Sequence, residues 1–185
     1  MDGEFIYALK ARDRLGPGLY SKTFLLLEDT FLHRARELRE VRELAHTIRI
    51  AFEKISPLIQ RTTGTVCPNC TDVCCISKHG FYNYEDLIYL FALGLRPPPI
   101  DLHRNDRDPC QFLSEGGCSI ERSIRPSGCN WYFCDPLLEV IEQTPDYREF
   151  DDSLRDLAEM WMKMIAEFSR ISPSRPARTI GSDFR

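Results

Sequence analysis

The sequence predicts a mainly α protein: a long helical hairpin flanking a small irregular cysteine-rich metal-binding segment that contains one short hairpin of strands. Three observations predict it. Apolar residues recur at heptad spacing between Lys22 and Ile55, a second apolar stripe runs from Leu154 to Phe168, and all eight cysteines fall between Cys67 and Cys134. A chain of 185 residues can bury an adequate core without disulfide staples.

Phe24, Phe31, Leu38, Ala45 and Phe52 stand seven positions apart, and Leu27, Val41, Ile48 and Ile55 form the interleaved row, with Arg34 as the interruption. Such a seam predicts one long helix of coiled-coil type. Ser21 is its expected N-cap, and Ser56-Pro57 marks its expected end, because the residue before proline disfavours helical backbone. The run Arg34, Arg36, Glu37, Arg39, Glu40, Arg42, Glu43 reads as a solvated face of helical charge pairs. Near the other end, Leu154, Leu157, Trp161, Met164 and Phe168 follow a 3-4-3-4 spacing, which predicts a core-facing helix of about 20 residues. The two helices are expected to pack antiparallel. The surplus of the first seam then needs another cover, either a helix around Asp86 to Leu93 or a second copy of the chain, which makes a homodimer or a protein partner on the long helix an expectation. The organisation that follows is an N-terminal helical segment over 1–64, a cysteine segment over 65–136, a C-terminal helix over 137–171 and a tail over 172–185 whose composition predicts disorder.

Within the cysteine segment, the first group is Cys67, Cys70, Cys74 and Cys75, where two cysteines separated by two residues can turn both sulfurs to one centre. Adjacent side chains diverge, so Cys74 and Cys75 are expected either to serve different centres or to leave one thiolate off the metal. The stretch Tyr84 to Leu93 reads as a short helix ended by Gly94 at C′, and Pro97-Pro98-Pro99 enforces an extended linker. Cys110 to Ile120 reads as a hairpin around Gly116-Gly117 that brings Cys110 and Cys118 close across two strands. The last pair, Cys129 and Cys134, follows the turn Arg125-Pro126-Ser127-Gly128. Eight sulfurs can build two four-ligand sites or one site with spare thiols.

The N-terminus lacks the basic start and apolar core of a secretory signal, and no segment approaches the ~20 apolar residues of a membrane span. A cytoplasmic location is the expectation. In a reducing compartment this cysteine pattern points to metal ligation rather than disulfides. The balance of 24 basic and 28 acidic residues, a net charge of −4, argues against nucleic-acid binding. His33 and His46 belong to the long helix, and His79 and His103 are secondary candidates because the thiols already suffice as ligands. Asp106 and Asp108 read as parts of a solvated loop. No Ser-His-Asp arrangement, phosphate-cradling glycine loop or H-E-x-x-H helix is present, and the radical-SAM order C-x3-C-x2-C is absent. Arg125, beside Cys129, is the one hint of an electropositive setting for a reactive thiol.

The ordered series Cys67, Cys70, Cys74, Cys75, then Tyr84-x-Asp86, Cys110-Gln111-Phe112-Leu113, Gly117-Cys118-Ser119-Ile120 and Arg125-Pro126-Ser127-Gly128-Cys129 resembles the YkgJ-type cysteine-cluster family, a zinc- or iron-chelating domain. The resemblance covers about residues 65 to 136 and neither helical flank. Three residues rather than two precede Cys74, Asn130 stands where the family has Arg, and Tyr132-Phe133-Cys134 replaces its aromatic-Pro-Phe ending, so Cys134 is the ligand the family pattern supports least. The resemblance implies metal or iron–sulfur binding and supplies no reaction, although a flagellin lysine methylase looks similar in its cysteine cluster. Zinc and an iron–sulfur cluster both remain open. The roles expected of such a module are electron transfer, metal handling or protein modification; the alternative is a zinc-stapled helical interaction protein without catalysis.

Overall fold

The computed structural model describes residues 15–71, 73–77, 80–105, 108–115 and 117–172. Its elements are α1 (Pro17–His33), α2 (Arg39–Val66), α3 (Cys74–Ser77), α4 (Tyr84–Ala92), β1 (Leu113–Ser114), β2 (Gly117–Cys118), α5 (Gly128–Trp131), α6 (Asp135–Glu142) and α7 (Tyr147–Ile171). The fold is mainly α, with a single two-stranded antiparallel sheet among the described residues. The expected disordered tail lies outside them, apart from Ser172.

The heptad seam is buried, as its period requires: Leu27, Phe31, Leu38, Val41, Ala45, Ile48, Phe52 and Ile55 all lie in the core. It is not one helix. The backbone leaves helical geometry at Arg34 (φ −112°, ψ 31°) and re-enters it after Leu38 (φ −86°, ψ 13°). Arg34, the residue that interrupts the seam, turns its guanidinium to other work, pairing with Glu37 and donating from Nη1 to the Ile171 carbonyl at the end of α7 (2.7 Å). The break also lets α1 lay Phe24 and Phe31 on Phe91 of α4, with ring centroids 5.1 and 6.1 Å apart. Arg42 fixes this corner by donating to the carbonyls of Phe31 and Ala92 (3.1 and 3.4 Å).

The start of α1 also differs from expectation. Pro17 occupies its first turn after Gly16, where a missing N–H costs nothing, and Ser21 lies inside the helix, its Oγ donating back to the Pro17 carbonyl (3.1 Å). Nor does Pro57 end α2, which runs on to Val66. Proline in a helix interior costs about 3 kcal/mol. Beyond it, however, Leu58, Ile59 and Thr62 are buried, and burying an aliphatic side chain returns about 1.5 to 3 kcal/mol each, so burial outweighs the lost hydrogen bond.

α7 packs antiparallel on α2, as their cross-helix pairs show: Arg61 with Asp146, Lys54 with Glu149 and Glu40 with Lys163. Its stripe of Leu154, Leu157, Trp161, Met164 and Phe168 is buried. The single C-terminal helix expected over 137–171 is divided in two, α6 and α7, by a turn at residues 143–146 containing Pro145. The remaining seam is covered within the chain by α4, every residue of which is buried. Phe31 stacks between Phe91 and Phe168 (6.1 and 5.5 Å), so α4, one of the two expected covers, is seated on the seam.

Candidate metal centre

α4 is the peg on which the cysteine region hangs. Asn83 caps it reciprocally: its side chain accepts from the backbone of Glu85 and Asp86, and the Asp86 carboxylate accepts from the Asn83 N–H. Its end is a Schellman motif, with Gly94 (φ 72°) donating to Phe91 and Leu95 donating to Leu90. From this rigid element and the residue just ahead of its cap, three side chains reach the turn ahead of Cys129. Tyr82 Oη donates to the Ile124 carbonyl and Tyr89 Oη to the Ser123 carbonyl (both 2.8 Å), while Asp86 Oδ1 accepts from the Ser127 N–H (2.9 Å). Trp131, two residues past Cys129, then plugs into the scaffold against Phe52 and Trp161 (5.8 and 6.3 Å).

The eight cysteines all carry thiols, with none joined in a disulfide. Cys67 and Cys70 lie on a 3-10 turn that continues α2, where the Cys70 N–H donates to the Cys67 carbonyl (3.2 Å). Cys74 and Cys75 open α3, and Cys134 is the N-cap of α6. Burial first, then the thiols of Cys134, Cys74 and Cys70, raise the Cys67 thiol above its usual range. Cys134, the residue the family pattern supports least, is thus foremost among the thiols acting on Cys67.

A second set gathers around the hairpin. The Cys110 N–H donates to the Cys75 carbonyl (2.7 Å), and the Leu113 N–H to the Cys110 carbonyl (2.9 Å), with Leu113 paired to Cys118 across the strands. Gly80 runs beside two of the sulfurs: its N–H donates to Cys110 Sγ (3.5 Å), and a Cβ placed on it would lie 3.4 Å from Cys129 Sγ. Burial first, then Cys110, Cys118, Cys74 and Cys67, raise the Cys75 thiol. Burial, again helped by Cys110 and Cys118, pushes the Cys129 thiol up to about 12. Cys129 is exposed as a residue, yet its sulfur lies beside Gly80.

Arg122 stands beside this second set. It is 9% exposed, its Nη1 donates to Asn130 Oδ1 (3.3 Å), and its Nε is buried without a hydrogen-bond partner. Burial, then Arg125, lowers its guanidinium to about 10, and Cys129, Cys118 and Cys75 act in the opposite sense. The sequence pointed to Arg125, whose Nε instead donates to the Ile120 carbonyl (2.8 Å). Nothing in local spacing marks Arg122, Tyr82, Tyr89 or Asn130, since each works through a residue distant in sequence or through backbone.

Among the described residues, no group of three or more His, Cys, Asp and Glu side chains stands in a ready metal-holding arrangement. What the cysteines share is donor type rather than a formed site: they are thiols drawn from separate turns, and the Gly80 N–H donates to one of them. His103 is exposed with its N–H on Asp101 Oδ1 (2.9 Å), and Asp108 Oδ2 accepts from the Asn105 N–H (3.2 Å), as expected for a loop. His79 and Asp106 lie outside the described residues. His33 pairs with Asp29 (3.3 Å) on an exposed face. No helix among the described residues is long and apolar enough to cross a membrane. No family model, curated protein or solved structure matches the chain.

Proposed function

We propose that residues 67–134 form a thiolate metal module holding zinc or an iron–sulfur cluster, in keeping with the YkgJ-type resemblance. The observation that carries this reading is that eight reduced thiols from separate turns lie near one another, the sulfurs of Cys110 and Cys129 both flanking Gly80. Protonated thiols crowded together and desolvated gain little from one another. A cation that displaces their protons turns the same crowding into ligation, because the thiolate is the ligand form. The protein works in a reducing compartment on this reading, where such thiols persist.

A zinc-stapled structural role is the second reading, favoured by the paucity of regular structure in this region, where two strands of two residues each and short helices surround the sulfurs. Ligation free energy can fold a segment of that kind. Metal analysis and a visible spectrum of the full chain, purified anaerobically, test both readings. A broad absorption bleached by dithionite identifies an iron–sulfur cluster. Zinc without colour, whose removal by a chelator frees the amides of 67–134 to exchange while α2 and α7 stay protected, identifies the structural role. A folded chain that carries no metal and takes up none overturns the proposal.

A further inference from the structure

We propose that the turn Cys67-Pro68-Asn69-Cys70 is a redox-active dithiol, which closes to a disulfide by exchange with a disulfide-bearing partner. The proposal stands on the geometry of one turn and does not depend on the metal-binding reading above.

The turn brings its two cysteines to one edge. The Cys70 N–H donates to the Cys67 carbonyl (3.2 Å), and a turn closed in this way holds its end Cα atoms within about 7 Å. Disulfides span Cα separations of about 4.4 to 6.8 Å. Residues Cys67–Asn69 form a 3-10 turn with Cys70 at its cap, and in that geometry side chains three positions apart eclipse one another. Both sulfurs therefore rise from the same side. The turn is also held in place before any bond forms: Pro68 fixes its own φ, the Cys67 N–H donates to the Thr63 carbonyl, and Asn69 Nδ2 donates to the Thr65 carbonyl (3.2 Å). Closing a disulfide there costs little further backbone entropy.

Access favours the same pair. Cys67 and Cys70 are partly exposed, and Pro68 and Asn69 between them are exposed, so a partner disulfide can approach from solvent. Cys110, by contrast, is buried. Cys74 and Cys75 are adjacent, and adjacent Cα atoms stand about 3.8 Å apart, closer than ordinary disulfide geometry allows.

Glutathione disulfide is the probe. One thiol of the turn, as thiolate, attacks one of its sulfurs; a protein–glutathione S–S bond forms, the glutathione S–S bond breaks, and the leaving glutathione thiolate takes up a proton. The second thiol of the turn gives up its proton and attacks the protein-side sulfur, forming the Cys67–Cys70 bond and releasing the other glutathione. Two electrons and two protons thus pass from the chain to glutathione disulfide, which becomes two glutathione thiols. In a reducing compartment such a disulfide is a transient, working species rather than a staple.

The test incubates the reduced, chelator-treated full chain anaerobically with glutathione disulfide. Remaining thiols are counted, the bond is mapped by fragment mass spectrometry, and helicity is followed by circular dichroism. The expected result is the loss of two of the eight thiols, joined between Cys67 and Cys70, with helicity kept. Cys67→Ser and Cys70→Ser should each abolish that bond and carry glutathione on the remaining cysteine of the turn. Cys134, foremost among the thiols acting on Cys67, is the competing partner, and a Cys67–Cys134 bond in the wild type overturns the proposal. So does a chain that stays fully reduced, or one that still loses two thiols at an unchanged rate in either serine variant. Zinc uptake by the same preparation separates the two readings: uptake without oxidation overturns the dithiol and leaves the metal module, whereas oxidation without uptake does the reverse.

Discussion

In the helical scaffold, Trp161 is 1% exposed and meets Phe52, Tyr89 and Trp131 at centroid distances of 6.5, 5.2 and 6.3 Å, so its position is fixed from several directions by apolar surface. In the cysteine region the fixing groups are fewer and act one bond at a time: Tyr82 on residue 124, Tyr89 on residue 123 and Asp86 on residue 127. The first arrangement is non-directional and tolerates small errors. The second positions particular backbone atoms, and with them Cys129, at the cost of depending on single donors and acceptors. Trp131 belongs to both regions, which makes it the joint between them.

The largest effect is expected from Trp161→Ala. Truncating a fully buried tryptophan costs about 3 to 5 kcal/mol, a large part of the 5 to 15 kcal/mol typical of a whole domain. Urea unfolding followed by circular dichroism measures it. A variant as stable as the wild type would show that the α2–α7 seam is not what holds the scaffold.

Asp86 gives a pH-dependent effect of the next size. Burial, only partly offset by the hydrogen bonds from Ser127 and Asn83, raises its carboxyl from 3.8 to about 6. The folded state therefore keeps this proton over a range where the unfolded chain has lost it. The stability contributed by the neutral form is full below pH 4 and is lost as pH rises through about 6, a change of about 3 kcal/mol at most. The sign is opposite to that of an exposed paired carboxylate such as Glu149 beside Lys54, whose lowered range favours folding as pH rises. Asp86→Asn should flatten the stability profile between pH 4 and 6. A slope that survives the substitution places its origin elsewhere.

How much of this could be read in the sequence follows the same division. Apolar periodicity is a property of the chain itself, so the seam, the Leu154 to Phe168 stripe and the covering helix at Asp86 were legible before any coordinates. The break at Arg34 was not, because Phe31 and Leu38 keep their seven-residue spacing across it. Pro57 misled because its local cost is smaller than the burial beyond it. In the cysteine region, residue type alone marked the sulfurs and the Gly94 cap. The relation among those sulfurs was hidden, since Cys134 and Cys67 are far apart in the chain and act on one another only in the folded state. Arg122 and Tyr89 were hidden too, because their partners are chosen by tertiary packing.

Tyr89→Phe sharpens the comparison at smaller magnitude. It keeps the ring packed on Trp161 and deletes only the hydroxyl that donates to Ser123, leaving a buried carbonyl without that donor, a loss of about 1 to 2 kcal/mol. The expected signature is local: faster amide exchange over residues 122–131 with α2 and α7 unchanged. Uniform acceleration across the scaffold would mean that the hydroxyl serves the core rather than the module.

The smallest effect is expected from the ion pairs that cross the helical hairpin. Lys54 with Glu149 (2.9 Å) and Lys163 with Glu40 (3.4 Å) look like clasps between α2 and α7, but all four side chains are more than half exposed. At such sites water already solvates both charges, and ordering two long side chains offsets most of the attraction. Lys54→Ala and Lys163→Ala should leave the urea midpoint within measurement error, alone and together. Added salt should not change that result, because screening removes only what little attraction remains. If the double variant instead shifts the midpoint as far as Tyr89→Phe does, charge rather than the apolar seam sets the pairing of α2 with α7, and the contrast between a burial-held scaffold and a bond-held module fails on the scaffold side.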